Sequence, residues 1–124
     1  MNKFSIFGFH TINLTLIIFY LYPGSLLGFF LYNDISIQPQ ITRDFLISSN
    51  HFYAFIILSI AGIMAYNKSN KINILIKYLV LISILLEFIH IIIPNREFEF
   101  SDLFGNFIGV ILIFTFYKIK NKYA

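Results

Sequence analysis

Four apolar runs, each close to the length that crosses a lipid bilayer, dominate this 124-residue chain and leave it few ways to fold. A helix needs about 20 mostly apolar residues to traverse about 30 Å of hydrocarbon. The first run extends from about residue 4 to 22 and stops at Pro23-Gly24, a helix-breaking pair. The other three cover about 50–66, 72–93 and 102–117. Inside hydrocarbon each backbone N–H and C=O has to be satisfied without water, so each run predicts a helix. Composition closes the soluble alternative. Apolar residues make up 58% of the chain and charged residues only 12%, with a mean hydropathy of +0.78. A soluble domain carries about a quarter charged residues, and a short chain exposes too much of its surface to manage with half that. Disorder, which needs low hydrophobicity, is excluded by the same figures. The expected fold is an all-α membrane protein: one domain over residues 1–124, built as a four-transmembrane-helix bundle.

The cations divide the connections into two kinds. Lys3 precedes the first span, Lys68 and Lys71 lie in the turn 67–71, and Lys118, Lys120 and Lys122 follow the fourth span. The other two connections hold only Arg43 and Arg96 as cations, among Asp34, Asp44, Glu97 and Glu99. Lysine and arginine resist translocation, so both termini are expected in the cytoplasm (N-in/C-in). Lys77, early in the third span, can snorkel to that same face. The net charge of +3 therefore reflects membrane orientation, and with no basic stripe no nucleic-acid partner is expected. Cysteine is absent, which removes disulfides, thiol nucleophiles and cysteine-based metal sites. The first run has a longer apolar core than a signal peptide and no small-x-small cleavage pattern after it, so it is expected to be retained. Residues 25–32 either extend that helix past a proline kink or lie along the interface. In the 33–49 loop, Ile35, Ile37 and Ile41 flank Pro39, more apolar than a free loop needs. It is expected to lie on the outer membrane surface or to pack on the bundle.

Under this topology the scarce polar residues collect at one end. His51 opens the second span, Glu87 and His90 lie three residues apart on one face of the third, and Arg96 follows Pro94-Asn95. Asp102 opens the fourth span, and Asn106 follows one turn later. A charge at the bilayer centre costs about 2.5–3.5 kcal/mol on insertion scales, so such residues usually face the bundle interior and pair. At 1.5 Å per residue, Glu87 sits about 9 Å below the outer end of its span. The six are expected to form one outward-facing polar pocket. Gly105 and Gly109, a G-x-x-x-G pair, are expected to bring the third and fourth spans together beside Asn106. His10 and Asn13 share a face of the first span and are expected to make ordinary interhelical hydrogen bonds.

The run Glu87-Phe-Ile-His90, then Pro94-Asn-Arg96, then Ser101-Asp102-Leu-Phe-Gly-Asn106-Phe-Ile-Gly109 resembles the signature of the VanZ-like family. That signature reads Glu-x-x-Gln, Pro-x-Arg and Ser-Asp-x-x-x-Asn-x-x-Gly across the last two helices. His51-Phe52 resembles the start of the family's second helix, commonly Asp-Lys-x-x-His-Phe. The resemblance covers residues 50–109, and the whole chain by length and span number. It implies small integral membrane proteins of the bacterial cytoplasmic membrane, with four or five spans, named for an accessory factor in glycopeptide resistance. It supplies no biochemical activity. Three departures stand out: His90 replaces Gln, Ile47-Ser48 replaces Asp-Lys, and Ile113 stands where a second glycine would follow Gly109. The chain lacks whatever chemistry that Asp-Lys pair supplies in relatives.

For Arg96 and Asp102 the alternatives are a loop salt bridge and a headgroup site. An arginine beside a helix N-terminus suits a phosphate or pyrophosphate, whereas Asp102 opposes an anion unless Arg96 or a cation neutralises it. For Glu87 and His90 the alternatives are an interhelical polar pair, general acid–base catalysis, and, with His51 and Asp102, a divalent metal. No accepted metal-ligand spacing is matched, so no metal and no cofactor are expected. The first functional expectation is a cell-envelope protein that binds an anionic membrane lipid or a lipid-linked cell-wall precursor at the outer leaflet, through His51, Glu87, His90, Arg96, Asp102 and Asn106. Such binding would alter sensitivity to glycopeptide-type antibiotics. The alternatives are an intramembrane enzyme with Glu87 or His90 as the catalytic acid–base, and a structural or assembly subunit of a membrane complex.

Overall fold

In the computed structural model, which describes residues 2–44 and 46–123, the chain forms five helices and, among those residues, no strand. They are α1 (Lys3–Leu21), α2 (Leu26–Tyr32), α3 (Ser49–Tyr66), α4 (Ile72–Ile89) and α5 (Phe100–Tyr123). All but α2 are long and apolar enough to cross a membrane.

Asn2 starts α1 by accepting a hydrogen bond from Phe4 N at 2.9 Å. The helix stops because Pro23 forces the preceding residue toward extended geometry, and Tyr22 sits at φ −66°, ψ 134°. Gly24, at φ +122°, turns the chain where a side chain would be strained. Ser25 then caps a new helix by accepting from Gly28 N at 2.9 Å. The segment 25–32 is thus a separate short helix and does not continue α1. A Cβ at Gly28 would collide with the carbonyl oxygens of Ile37 and Asp34, so α2 and the following loop fit only with glycine there.

That loop folds onto the start of α3. Ser49 N donates to Asp44 Oδ1 at 2.9 Å, Ser49 Oγ to Thr42 O at 2.7 Å, and Asn50 Nδ2 to Pro39 O at 2.6 Å. Asp44 thereby places a carboxylate at a helix N-terminus, where the macrodipole favours it.

Two helix ends differ from the sequence expectation. The third span ends at Ile89, short of residue 93. Residues 90–93 wind instead on i→i−3 bonds, among them His90 N to Glu87 O at 3.1 Å and Ile92 N to Ile89 O at 3.0 Å. Pro94 blocks a further helical turn, and Asn95 reverses the chain at φ 61°. The fourth span begins at Phe100 and carries its lysines on to Tyr123, because cations favour the C-terminal end of a helix dipole.

α3 lies at the centre of the bundle, packing on α5 most extensively and also on α1 and α4. Gly105 and Gly109 make the α3–α5 seam. A Cβ at 105 would lie 2.8 Å from Ser48 O, and one at 109 would lie 2.9 Å from Phe52 O. The glycines thus face the second span and not the third, since it is α3 that brings its backbone to α5 at this level. Phe9, Phe55, Leu58, Leu79, Leu86, Val110 and Phe114 form the buried core. Large apolar residues such as Phe4, Ile57, Ile74, Leu85 and Phe116 stay exposed, far more contiguous apolar surface than a water-soluble monomer carries. His10 Nε2 lies 3.1 Å from Tyr66 Oη, and Tyr78 Oη donates to Asn13 Oδ1 at 2.8 Å; both are interhelical contacts.

Candidate functional site

α1 and α4 arrive at the end of the bundle that α3 and α5 leave, so two helix C-termini meet two N-termini there. Orphan carbonyls gather beside orphan amides, and the polar side chains of the chain are spent on them and on one another.

Asn106, fully buried on α5, orients the cluster. Its Nδ2 donates to Ser83 O of α4 at 3.1 Å, which leaves Oδ1 turned toward α1 and α3. Oδ1 accepts from Tyr20 Oη at 2.7 Å and lies 3.0 Å from His51 Nδ1. An amide oxygen only accepts, so the hydrogen of a neutral His51 resides on Nδ1 and the lone pair on Nε2. That Nε2 lies 3.7 Å from Asp102 Oδ2, itself an acceptor.

A second opposition of the same kind lies deeper. His90 Nε2 donates to Tyr20 O at 2.8 Å, which leaves Nδ1 of the neutral ring as an acceptor. It faces Glu87 Oε2 at 3.3 Å. Glu87 is held by Glu99 N, which donates to its Oε1 at 3.1 Å. Glu87 and His90 are 0% and 1% exposed, and Glu87 Oε2 and His90 Nδ1 have no hydrogen-bond partner. A buried polar atom left without a partner costs about 1–3 kcal/mol. The cluster is therefore rich in lone pairs and short of donors, and it is built to accept positive charge.

Arg96 serves another purpose. Its Nε donates to Tyr22 O at 3.0 Å and its Nη2 to Phe19 O at 2.6 Å, so the guanidinium fork closes the C-terminus of α1 together with His90. It does not pair with Asp102. Among the described residues the contacts of 4.0 Å or less between basic and acidic side chains all involve histidine: His51–Glu87, His51–Asp102 and His90–Glu87. Outside the helices, burial lowers the Arg96 guanidinium pKa from its ordinary value. The neighbouring Asp102 carboxylate raises the pKa of Glu99, with a smaller push from desolvation.

Five of the six expected site residues, His51, Glu87, His90, Asp102 and Asn106, thus converge, and Arg96 flanks them. Tyr20 was not anticipated, although it is the hub: its ring stacks on His90 with centroids 5.8 Å apart and meets His51 edge-on at 4.9 Å. The available signal was a tyrosine within a turn of the Pro23-Gly24 break, at the same end as the other polar groups. Ser83, one turn before Glu87 on the same face, was also readable. His51, Glu87 and Asp102 each offer one ligand atom within 4.8 Å of the other two, so these three side chains could hold a metal ion between them. A cleft of about 470 Å³ lies at the opposite end, between α3 and α5, beside Lys68, Phe116, Tyr117 and Lys120. None of the expected site residues lines it. Comparisons with protein-family models, with curated proteins and with solved structures give no match.

Proposed function

We propose that the chain is a VanZ-like cell-envelope protein of the bacterial cytoplasmic membrane, with both termini in the cytoplasm. Its outer polar cluster, once protons or a cation neutralise the Glu87 and Asp102 carboxylates, receives the phosphate-bearing headgroup of an anionic lipid or a lipid-linked wall precursor, and so alters sensitivity to glycopeptide-type antibiotics. The orientation rests on charge. Every lysine belongs to the end where α1 and α4 begin, and every Asp and Glu to the other. Lysines kept on one side of four apolar helices follow the rule for cytoplasmic loops. Because the chain has no cysteine, single replacements report orientation cleanly. A membrane-impermeant maleimide is expected to label Glu97→Cys on intact cells, and Lys68→Cys only after permeabilisation. The reverse pattern would turn the pocket toward the cytosol and end this reading.

The observation that carries the headgroup reading is the convergence itself. Polar side chains from four helices meet beneath one end of an otherwise apolar bundle, and His51 and Asp102 keep 17% and 18% of their side chains exposed. Intramembrane ionisable groups so gathered mark ligand or ion sites more often than not. Native mass spectrometry of the detergent-purified chain tests it. A phosphate-bearing lipid is expected on the wild type and about tenfold less of it on His51→Ala, the loss of roughly 1.4 kcal/mol. His10→Ala, at the lysine end, is expected to retain it. Equal retention in all three, or no specific lipid, counts against the proposal.

A second reading, an intramembrane enzyme acting on a lipid-linked phosphate, is favoured by one specific observation. Glu87 Oε2 and His90 Nδ1 face each other at 3.3 Å, with no other hydrogen-bond partner. One proton shared between them would make an acid–base pair. Under this reading Glu87→Gln stops turnover of a lipid-linked pyrophosphate while lipid retention and helicity persist.

A further inference from the structure

We infer that His51, Glu87 and Asp102 form a binding site for a divalent zinc-class metal ion, with its open coordination position facing out of the bundle. This inference is independent of the headgroup reading, because metal binding is measured on the detergent-purified chain with no lipid added.

Three lines of geometry meet here. First, one ligand atom from each of the three side chains lies within 4.8 Å of the others. Zinc–nitrogen and zinc–oxygen bonds of about 2.0–2.2 Å place neighbouring tetrahedral ligands about 3.4 Å apart. The His51 Nε2–Asp102 Oδ2 separation, 3.7 Å, is within a few tenths of an ångström of that. Glu87 has only to draw in from the last turn of α4 to close the triangle.

Second, the lone pairs point the right way. Asn106 fixes the hydrogen of His51 on Nδ1, so Nε2 presents a lone pair to a carboxylate oxygen that also has only lone pairs to offer. Glu87 Oε2 is fully buried and has no hydrogen-bond partner, and it lies 4.0 Å from Nδ1 of the same His51 ring. A proton can settle one such opposition at a time; a dication held by His51 Nε2, Asp102 and Glu87 takes up one lone pair from each of the three together. Third, the outer shell is already in place. Asn106 Oδ1 on His51 Nδ1, and Glu99 N on Glu87 Oε1, are the contacts that orient metal ligands elsewhere.

One imidazole and two carboxylates suit zinc, and three protein ligands leave a fourth position for water or a phosphate oxygen. Glu87 lies at the floor and the two partly exposed ligands at the mouth, so that position opens outward. The ligands come from α3, α4 and α5, which is why no spacing motif announces them.

Untagged chain, stripped with a chelator and titrated with zinc chloride, is expected to bind one zinc per chain by elemental analysis and calorimetry. Asp102→Asn and Glu87→Gln, both near-isosteric, are each expected to weaken binding by at least about 100-fold, with Asn106→Ser about 10–100-fold weaker through the outer shell. His10→Ala is expected to bind like the wild type. Circular dichroism establishes that each variant is folded, and Asp102→Asn, at the partly exposed mouth, is the variant chosen to keep the fold. Zinc well below one per chain in the wild type overturns the inference. So does an affinity unchanged in folded Asp102→Asn.

Discussion

Gly109→Leu is expected to abolish the folded bundle, read as loss of the cooperative thermal transition in detergent and of a monodisperse elution peak. A Cβ at 109 already stands 2.9 Å from Phe52 O and 3.1 Å from Phe55 Cβ. The first obstacle is backbone of the central helix, so it cannot rotate aside as a flexible side chain would. Extra methylenes forced into a packed core cost about 1–3 kcal/mol when the surroundings can shift. Here α5 has to lift off α3, and the loss is expected at about 3 kcal/mol or more. Gly109→Ala is expected to cost about 1–2 kcal/mol by the same collision in its mildest form. Gly8→Ala supplies the control. Nothing lies within 4 Å of a Cβ there, in the second turn of α1, and alanine is favoured over glycine in a helix by about 1 kcal/mol. That variant is expected to be neutral or slightly more stable, and equal losses at 8 and 109 would show that the α3–α5 seam is not what the glycines serve.

Arg96→Ala is expected to have the next largest effect, about 2–3 kcal/mol. It strips two charge-assisted hydrogen bonds from the carbonyls of Phe19 and Tyr22, at a helix end that has few other donors. Bonds to charged groups contribute about 1.5–3 kcal/mol each, reduced here because Arg96 is only half-buried. The decisive comparison is Arg96→Lys. A lysine ammonium is a point donor on a flexible stem and cannot span two carbonyls three residues apart as the planar fork does. Less than half of the lost stability is expected to return. Full rescue by lysine would mean that charge alone matters at this position and that the capping geometry is incidental.

How much of this was legible without coordinates depends on what each feature must satisfy. Spans are legible because hydrocarbon tolerates no interruption, so four long apolar runs leave little choice. The end of α4 was not, since Ile91, Ile92 and Ile93 are as apolar as the helix before them and nothing in their type reveals a switch to i→i−3 bonds. The glycine pair revealed which face of α5 is bare but not which neighbour fills it. His51, Glu87, His90, Asp102 and Asn106 stood out because polar groups are rare and costly in such segments. Tyr20 did not, because a tyrosine near a helix end reads equally well as an anchor at the lipid headgroups. By type Arg96 suits either a salt bridge to Asp102 or a phosphate, whereas the structure gives its fork to the backbone. A side chain's type announces that it needs a partner; only the fold decides between a ligand and a helix end 74 residues away.

That distance has a consequence for synthesis. The donors that finish α1 come from His90 and Arg96, 70 to 77 residues later in the chain. At about 5–20 residues per second, the carbonyls of Phe19, Tyr20 and Tyr22 wait roughly 4–15 s for them after leaving the ribosome. The helix α1 is therefore completed only after α4 has been made, and a nascent chain halted before residue 90 holds it with a frayed end.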